Sequence, residues 1–239
     1  MKYRTKFLIL VLVVGMLGMF AVPLFAQDEG GQGGIIIEPN ANANADVATM
    51  NPLLGNDVYS AEVNDLIFPD LIGVDPEKGV FSPGARNSMA KDWEISEDGL
   101  TYTYHLRDDW QWSDGTPITA QDYIYAYNAI ASGKTSSPRA YAAAPIDKIE
   151  APDDYTLVIT YKTAACNNLD NTTAIVPIPS HIFKEQIGDD FSKMNTMDFN
   201  KNPVVTAGPF SFWCTPNTTT PASCEAGDAD LSVRHYPRR

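Results

Sequence analysis

The sequence predicts an α+β fold, because β-hairpins and helices follow one another without the strand–helix rhythm of a parallel sheet. Two stretches of alternating apolar and polar residues, each interrupted by a tight-turn signal, predict hairpins in the middle of the chain. A stretch with helical periodicity and a capping signal lies between them. The hydrophobic fraction of 44% is large enough for a substantial core, which excludes a disordered chain.

The first 26 residues have the pattern of a secretory signal peptide. A basic start precedes an apolar run over residues 7–25, and the small residue Ala26 ends this pattern. An uncleaved membrane anchor is the alternative, because the run approaches the roughly 20 residues that a spanning helix needs. No cysteine directly follows the run, so a lipoprotein is not expected. Residues 27–35 are predicted to form a flexible leader.

Two elements are predicted before the hairpins. A short apolar run over residues 35–37 predicts a buried strand, and apolar spacing over residues 59–68 predicts a helix that Pro69 ends or kinks. The dipeptide Asn51-Pro52 between them is a turn signal.

The first hairpin is predicted to turn at Asp98-Gly99. Apolar residues alternate with polar ones along its second strand, so Tyr102 and Tyr104 are expected to face the core. We also predict that Trp93, in the first strand, is a core anchor.

The central helix and the second hairpin follow. Thr119 is the predicted N-cap of the helix, with Asp122 at the capping-box position. The hairpin is predicted to turn at Asp153, and its second strand places four residues on one face: Tyr155, Leu157, Ile159 and Tyr161. Residues 181–187 predict a short helix, and residues 210–213 a strand-like end.

The charge of the chain excludes one class of partner. The predicted signal peptide holds three of the 17 basic residues and none of the 30 acidic ones. The mature part therefore has 14 basic against 30 acidic residues, a net charge of −16. Such a chain repels phosphate backbones, so nucleic-acid binding is excluded.

Three cysteines occur in the chain, and the sequence alone permits any one of three pairings. Cys214 and Cys224 flank a loop rich in Pro, Thr and Ser, which a disulfide would close in an oxidising compartment. Cys166 is then expected to be a buried free thiol.

Signatures of catalysis and metal binding are missing from the sequence. His105, His181 and His235 lie far apart, and there is no Cys-x-x-Cys pair. Residues 133–135 resemble the end of a phosphate-binding loop, but Asn128 stands where that motif needs glycine. We therefore expect no metal, no cofactor and no enzyme activity. Because carboxylates are abundant, a secreted glycoside hydrolase remains the alternative from another class.

Four motifs between residues 89 and 130 follow one another in a specific order. They are Ala90-Lys91-Asp92-Trp93, Ser96-Glu97-Asp98-Gly99-Leu100-Thr101-Tyr102, His105-Leu106-Arg107 and Trp112-Ser113-Asp114-Gly115-Thr116-Pro117-Ile118-Thr119-Ala120-Gln121-Asp122. This order resembles the dipeptide, oligopeptide and nickel receptors of bacterial ABC importers, also called solute-binding family five. The flanking segments Met50-Asn51-Pro52 and Thr206-Ala207-Gly208-Pro209-Phe210 are similar to that family as well.

The resemblance implies a periplasmic-binding-protein-like type II fold, in which two large lobes close over a solute. By resemblance, residues 36–58 and 176–239 belong to the first lobe, and residues 59–175 form a small inserted α+β domain. Family members continue into a second lobe. We therefore expect this chain to be an N-terminal fragment in which that lobe is missing, with no tight binding by residues 27–239 alone.

The resemblance also indicates ligand contacts. Asp46, Val47 and Ala48 precede the Met-Asn-Pro marker at the spacing of a strand-like segment that hydrogen-bonds a peptide main chain in the family's peptide receptors. Tyr141 lies near the family's ligand-approaching aromatic residue. The alternatives are a loop carboxylate for Asp46 and a core ring for Tyr141.

The implied function is capture of a peptide outside the cytoplasm and its presentation to the membrane subunits of an ABC importer. We expect a secreted, monomeric protein, soluble after signal cleavage, in the periplasm or outer cell-envelope space. A receptor for nickel chelates or oligosaccharides is the alternative within the family. A fragment that binds no ligand is a further one.

Overall fold

The computed structural model describes residues 47–85, 88–208 and 210. The predicted signal peptide, leader and first strand, the site residue Asp46, and the cysteines Cys214 and Cys224 lie outside these residues, as does most of the predicted strand-like end. Within the described part of the chain, none of the helices combines the length and apolar character needed to cross a bilayer.

The described chain mixes short helices with antiparallel strands. The helices are α1 (Val58–Ile67), α2 (Ala120–Ala131), α3 (Ala140–Ala143), α4 (Asn168–Thr173) and α5 (Ser180–Ile187), and two 3-10 helices follow at Phe191–Thr196 and Asp198–Asn200. The strands are β1 (Val74–Asp75), β2 (Val80–Phe81), β3 (Ala90–Ile95), β4 (Thr101–Leu106), β5 (Ile146–Asp153) and β6 (Thr156–Tyr161). The predicted α+β character is confirmed, and the predicted helices near residues 59–68 and 181–187 each begin one residue earlier.

The two predicted hairpins join into one antiparallel sheet with the strand order β3-β4-β6-β5. Gly99 adopts a positive φ of 69° in the first turn, a conformation that glycine accepts without steric cost. Alternate residues of the two central strands are buried on one face, as predicted: Tyr102, Tyr104, Leu106, Leu157, Ile159 and Tyr161. The second hairpin therefore completes the core face that the first one begins.

Trp93 does not fill the role of core anchor that the sequence predicts. Its side chain is half-buried and packs against the margin of the core, and Ile95 in the same strand is 48% exposed. The reason is the position of β3, which within the described residues pairs with β4 alone and so lies at an edge of the sheet. Lys91, Asp92 and Glu94 are exposed along this edge strand.

The tyrosines of the sheet are tied to helix α4 through their hydroxyl groups. The Tyr104 hydroxyl donates to Thr172 Oγ1 at 3.1 Å, and the Tyr161 hydroxyl lies 2.7 Å from the same atom. The Tyr123 hydroxyl of α2 donates to the Thr172 carbonyl at 2.8 Å. Burial raises the pKa of Tyr161 to about 12, so its phenol stays protonated and can donate. The sequence predicts these rings as core residues but gives no sign of their common partner.

Asp122 holds the beginnings of two helices. Its Oδ2 accepts from the Thr119 backbone N–H at 3.0 Å, which confirms the acidic half of the predicted capping box. The same carboxylate accepts from the Trp112 indole at 3.1 Å and from the Ser180 backbone N–H, at the start of α5, at 2.9 Å. The side chain is only 3% exposed, so these donors replace the water that a carboxylate requires.

The segment around Gly208 closes against helix α1. The Gly208 N–H donates to the Ile67 carbonyl at 2.8 Å, and a Cβ atom at this position would overlap the Leu66 carbonyl oxygen. Upstream, the Ser113 N–H donates to the Thr206 carbonyl at 2.8 Å. Glycine is required at this position because two backbone segments meet there without space for a side chain.

Cys166 is exposed, so the expectation of a buried thiol is wrong. The residue lies in the turn between β6 and α4, where the chain runs along the surface. The predicted domain boundaries at residues 58–59 and 175–176 remain predictions.

Candidate ligand-binding site

A concavity of about 520 Å³ opens beside the irregular segment that precedes helix α1. It is formed by three parts of the chain: the segment 47–54, the loop 132–139 after helix α2, and the two 3-10 helices. Its lining residues are Ala48, Thr49, Leu54, Ser136, Asn195, Thr196, Met197, Asp198, Asn200 and Lys201. Most of these side chains are uncharged, and Asp198 and Lys201 are of opposite sign.

Residues 47–50 form neither helix nor strand, so other groups must hold them in place. The Met50 N–H donates to the Asn200 carbonyl at 2.7 Å, and Thr49 Oγ1 donates to the same oxygen at 3.2 Å. From the other side, the Thr49 N–H donates to Ser60 Oγ of helix α1 at 3.2 Å. Thr49 and Met50 are thus fixed, while Ala48 is exposed at the concavity.

The predicted turn at Asn51-Pro52 follows directly. Asn51 Oδ1 accepts from the Leu53 N–H at 3.0 Å, an arrangement by which asparagine stabilises a turn through its own side chain. The other half of the amide, Nδ2, donates to Asn200 Oδ1 at 2.9 Å. Asn51 is fully buried, so this amide bridges the turn and the second 3-10 helix inside the protein.

The loop 132–139 forms the opposite margin of the concavity. The Ser136 N–H donates to Asn195 Oδ1 at 2.8 Å, and Asn195 Nδ2 donates back to the Lys134 carbonyl at 3.1 Å. Ser137 Oγ donates to the Leu53 carbonyl at 2.6 Å. The loop is therefore attached both to the first 3-10 helix and to the segment that carries Ala48.

Arg139 joins this margin to two other segments. Its Nε donates to the Pro52 carbonyl at 2.8 Å, and its Nη1 donates to the Ala174 carbonyl at 3.1 Å. Burial lowers the pKa of the Arg139 guanidinium, and the neighbouring Tyr141 and the carboxylate of Asp65 act in the opposite direction. Burial in turn raises the pKa of Asp65, which the Arg139 charge counteracts. Arg139 thus places α3, which carries Tyr141, next to the Asn51-Pro52 turn.

The structure separates the residues that the sequence proposes as ligand contacts. Ala48 lines the concavity, whereas Val47 is half-buried and packs against the core. Tyr141 is 64% exposed, so the alternative of a core ring is wrong, but Tyr141 is not among the residues that line the concavity. Hydrogen bonds from Ser137 and Arg139 connect its helix to the segment of Ala48 without bringing the two side chains into one lining.

Sequence reasoning missed the residues that shape the concavity. Asn195 and Asn200 lie in a polar stretch without strand or helix periodicity, so no pattern marks them. Their roles depend on partners 59 and 149 positions away in the chain, at Ser136 and Asn51. Within residues 47–85, 88–208 and 210, there is no group of three or more His, Cys, Asp or Glu that could hold a metal ion.

The model of bacterial extracellular solute-binding proteins, family 5 (middle region), matches residues 85–216, which is more than half of the chain. The chain belongs to solute-binding family 5. The match includes the sheet, helices α2 to α5 and both 3-10 helices, and the predicted family is confirmed.

Relatives within family 5 carry different ligands. A Brucella ovis protein named for peptide binding in an ABC transporter is 35% identical over 124 residues, which cover 52% of this chain and 23% of that protein. Campylobacter jejuni NikZ, solved in complex with Ni(L-His), is 29% identical with a TM-score of 0.59 and covers 71% of this chain and 31% of NikZ. Haemophilus influenzae OppA, in complex with RPPGFSPFR, is 26% identical with a TM-score of 0.57 and covers 70% and 34%.

These family 5 structures confirm the predicted periplasmic-binding-protein-like type II fold. The chain spans about a quarter to a third of the length of these three relatives. The relatives are solute-binding receptors and not enzymes.

Proposed function

We propose that this family 5 chain belongs to an extracytoplasmic receptor that captures peptides for an ABC importer. The observation that carries the proposal is the segment beside the concavity. Within the described part of the chain, the backbone groups of Val47 and Ala48 take no part in a hydrogen bond, although the chain on their C-terminal side is firmly held. A peptide main chain can bind to such a segment by strand addition.

The lining of the concavity is consistent with a peptide ligand. Recognition by strand addition depends on backbone groups, so it tolerates different ligand side chains. Ala48 is small and lets another backbone approach, and the polar lining carries little net charge. Two relatives also support a peptide ligand, since the Brucella ovis protein is named for peptide binding and the OppA structure contains RPPGFSPFR.

A nickel chelate is the second candidate, because NikZ, at 29% identity, was solved with Ni(L-His). Such a ligand brings its own chelating groups, so it does not require a metal-binding cluster in the protein.

For the importer partner, we propose the membrane subunits of an ABC transporter, which the receptor binds as a monomer. We also propose the absence of glycosidase activity, because Asp198 is the one carboxylate among the described residues that line the concavity.

Binding of RPPGFSPFR to the ¹⁵N-labelled protein tests the proposal, with amide chemical shifts as the measurement. NMR is suited because it registers weak as well as tight binding. We expect shifts at the amides of Val47, Ala48 and Thr49. A peptide with the same side chains but N-methylated backbone nitrogens is the control, and it should lose most of the binding because it cannot donate main-chain hydrogen bonds.

Other results would exclude a peptide. Shifts with Ni(L-His) and none with RPPGFSPFR would favour the chelate receptor. Equal binding of the peptide and its N-methylated analogue would contradict strand addition.

Export is the second part of the proposal. We propose cleavage after Ala26, which leaves a mature protein that begins at Gln27. N-terminal sequencing of the secreted protein checks this, and recovery of Met1 in a membrane fraction would show the uncleaved anchor instead.

A further inference from the structure

The position of Ala48 depends on two asparagines: Asn51, which is fully buried, and Asn200, which is 9% exposed and lines the concavity. Asn200 accepts three hydrogen bonds from residues 49–51. Its carbonyl accepts from Met50 and Thr49, and its side chain accepts from Asn51. Because residues 47–50 have no strand partner in the described part of the chain, these contacts replace a sheet ladder.

Both polar atoms of the Asn200 side-chain amide form hydrogen bonds. Its Oδ1 accepts from Asn51 Nδ2 at 2.9 Å, and its own Nδ2 donates to the Met194 carbonyl at 2.9 Å. The segment is therefore connected to the first 3-10 helix through one oriented side chain. Asn51 is 0% and Asn200 9% exposed, so water has little access to take over either bond.

Ser60 holds the segment from the opposite side. Its Oγ accepts from the Thr49 N–H at 3.2 Å and donates to Asp57 Oδ2 at 2.6 Å. Thr49 is thus fixed between helix α1 and the second 3-10 helix. With these two directions occupied, Ala48 is directed towards the concavity.

We propose that Asn51 and Asn200 are positioning residues, which fix residues 47–49 in the register that a ligand's main chain needs. This inference rests on the proposed function for its consequence in binding. Whether the two asparagines fix residues 47–49 can be tested separately, in the unliganded protein. A strand-addition site has to be held in place before the ligand arrives, because ordering a mobile segment on binding weakens the affinity.

The substitution Asn51→Asp tests the proposal with little change in shape. It retains the oxygen that accepts from the Leu53 N–H and removes the donor to Asn200. Asn168→Asp is the matched control, because Asn168 is 1% exposed and its Nδ2 donates to the Thr163 carbonyl at 2.9 Å, away from the concavity. Ser60→Ala is the second test variant, since it removes the acceptor of the Thr49 N–H without adding a charge.

Amide hydrogen exchange of the unliganded protein is the first measurement. We expect the amides of Thr49 and Met50 to exchange about tenfold faster in Asn51→Asp and Ser60→Ala, beyond any change in global stability, because the opening is local. In Asn168→Asp, the exchange rates of these two amides should change only as far as the global stability changes. Exchange of Thr49 and Met50 at the wild-type rate in Asn51→Asp would overturn the proposal, whatever Ser60→Ala shows, because Ser60 holds Thr49 independently of the asparagines.

Affinity for RPPGFSPFR is the second measurement. We expect a dissociation constant about tenfold larger in Asn51→Asp and unchanged in Asn168→Asp. Equal affinity in Asn51→Asp and the wild type, with local exchange increased, would overturn the role of the asparagines in binding. Increased local exchange in a protein that binds no peptide even as wild type would refute the peptide function while it supports the positioning of the segment.

Discussion

The four-stranded sheet and the concavity are built in opposite ways. In the sheet, alternate residues of β4 and β6 are buried on one face, and the strands are held by a continuous backbone ladder. Beside the concavity, residues 47–50 have no ladder in the described chain. Hydroxyl groups and the Asn200 carbonyl fix them, and the Asn51 amide fixes the turn that follows. The sheet thus depends on the area it buries, while the concavity depends on the direction of a few polar bonds. Substitutions should therefore act globally in the first region and locally in the second.

The largest effect is expected from Leu157→Ala in the centre of the sheet. Leu157 is fully buried, so its truncation leaves a cavity and should lower the free energy of unfolding by about 2–5 kcal/mol. Denaturant unfolding measures this loss. Val158→Ala is the control on the other face of β6, where the side chain is half-buried and a smaller loss is expected. Equal losses in both variants would mean that β6 does not divide core from surface.

Thr172→Val should have the next largest effect, because it leaves the shape of the core and removes only a hydroxyl. The Tyr104 hydroxyl then loses its partner, while Tyr161 keeps the Asn168 carbonyl at 2.8 Å. A buried donor without an acceptor costs about 1–3 kcal/mol, measurable in the same unfolding experiment. Thr173→Val, one position along the helix, is the control. No loss in Thr172→Val would show that burial alone holds α4 on the sheet.

Trp93→Ala distinguishes an edge strand from a central one. The ring is half-buried, so we expect a loss of about 1–2 kcal/mol and not the roughly 3–5 kcal/mol typical of a fully buried tryptophan. Thermal and denaturant unfolding check the value. A loss as large as that of a core tryptophan would place Trp93 in the core after all.

Asp57→Ala should have the smallest effect, and it should depend on pH. Asp57 caps helix α1, and the bond from the Ser60 hydroxyl lowers the pKa of its carboxyl although burial opposes this. Its contribution is therefore present above the ordinary pKa of about 4 and is lost as the pH falls through the lowered value. We expect a loss of about 1 kcal/mol at pH 7 that shrinks in strong acid. A difference between variant and wild type that stays constant down to pH 2 would contradict this.

The difference between the two regions also explains which features the sequence predicts. Tyr104 and Leu157 are predicted because burial on one face of a strand produces a period of two residues. Trp93 is predicted wrongly, since the same period cannot show which strand lies at the edge. Cys166 is predicted wrongly as well, because its turn position and not its chemistry determines its exposure.

Hydrogen bonds between residues that are distant in the chain produce no periodic pattern in the sequence. The local role of Asp122 as a cap is predicted because Thr119 is three positions away, whereas its bond to Ser180 spans 58 positions. Asn200 is missed for the same reason. Asn51 is identified only as part of a turn, because its second partner is distant in the chain.

The edge strand β3 affects the tendency of the protein to aggregate. Its outer side has no neighbouring strand in the described chain, and such an edge can pair with the edge of another molecule and begin aggregation. Along it, Lys91, Asp92 and Glu94 are exposed and carry charges of both signs. A second copy would have to desolvate these charges before its backbone could pair. The edge therefore disfavours intermolecular sheet growth at concentrations where an apolar edge would promote it.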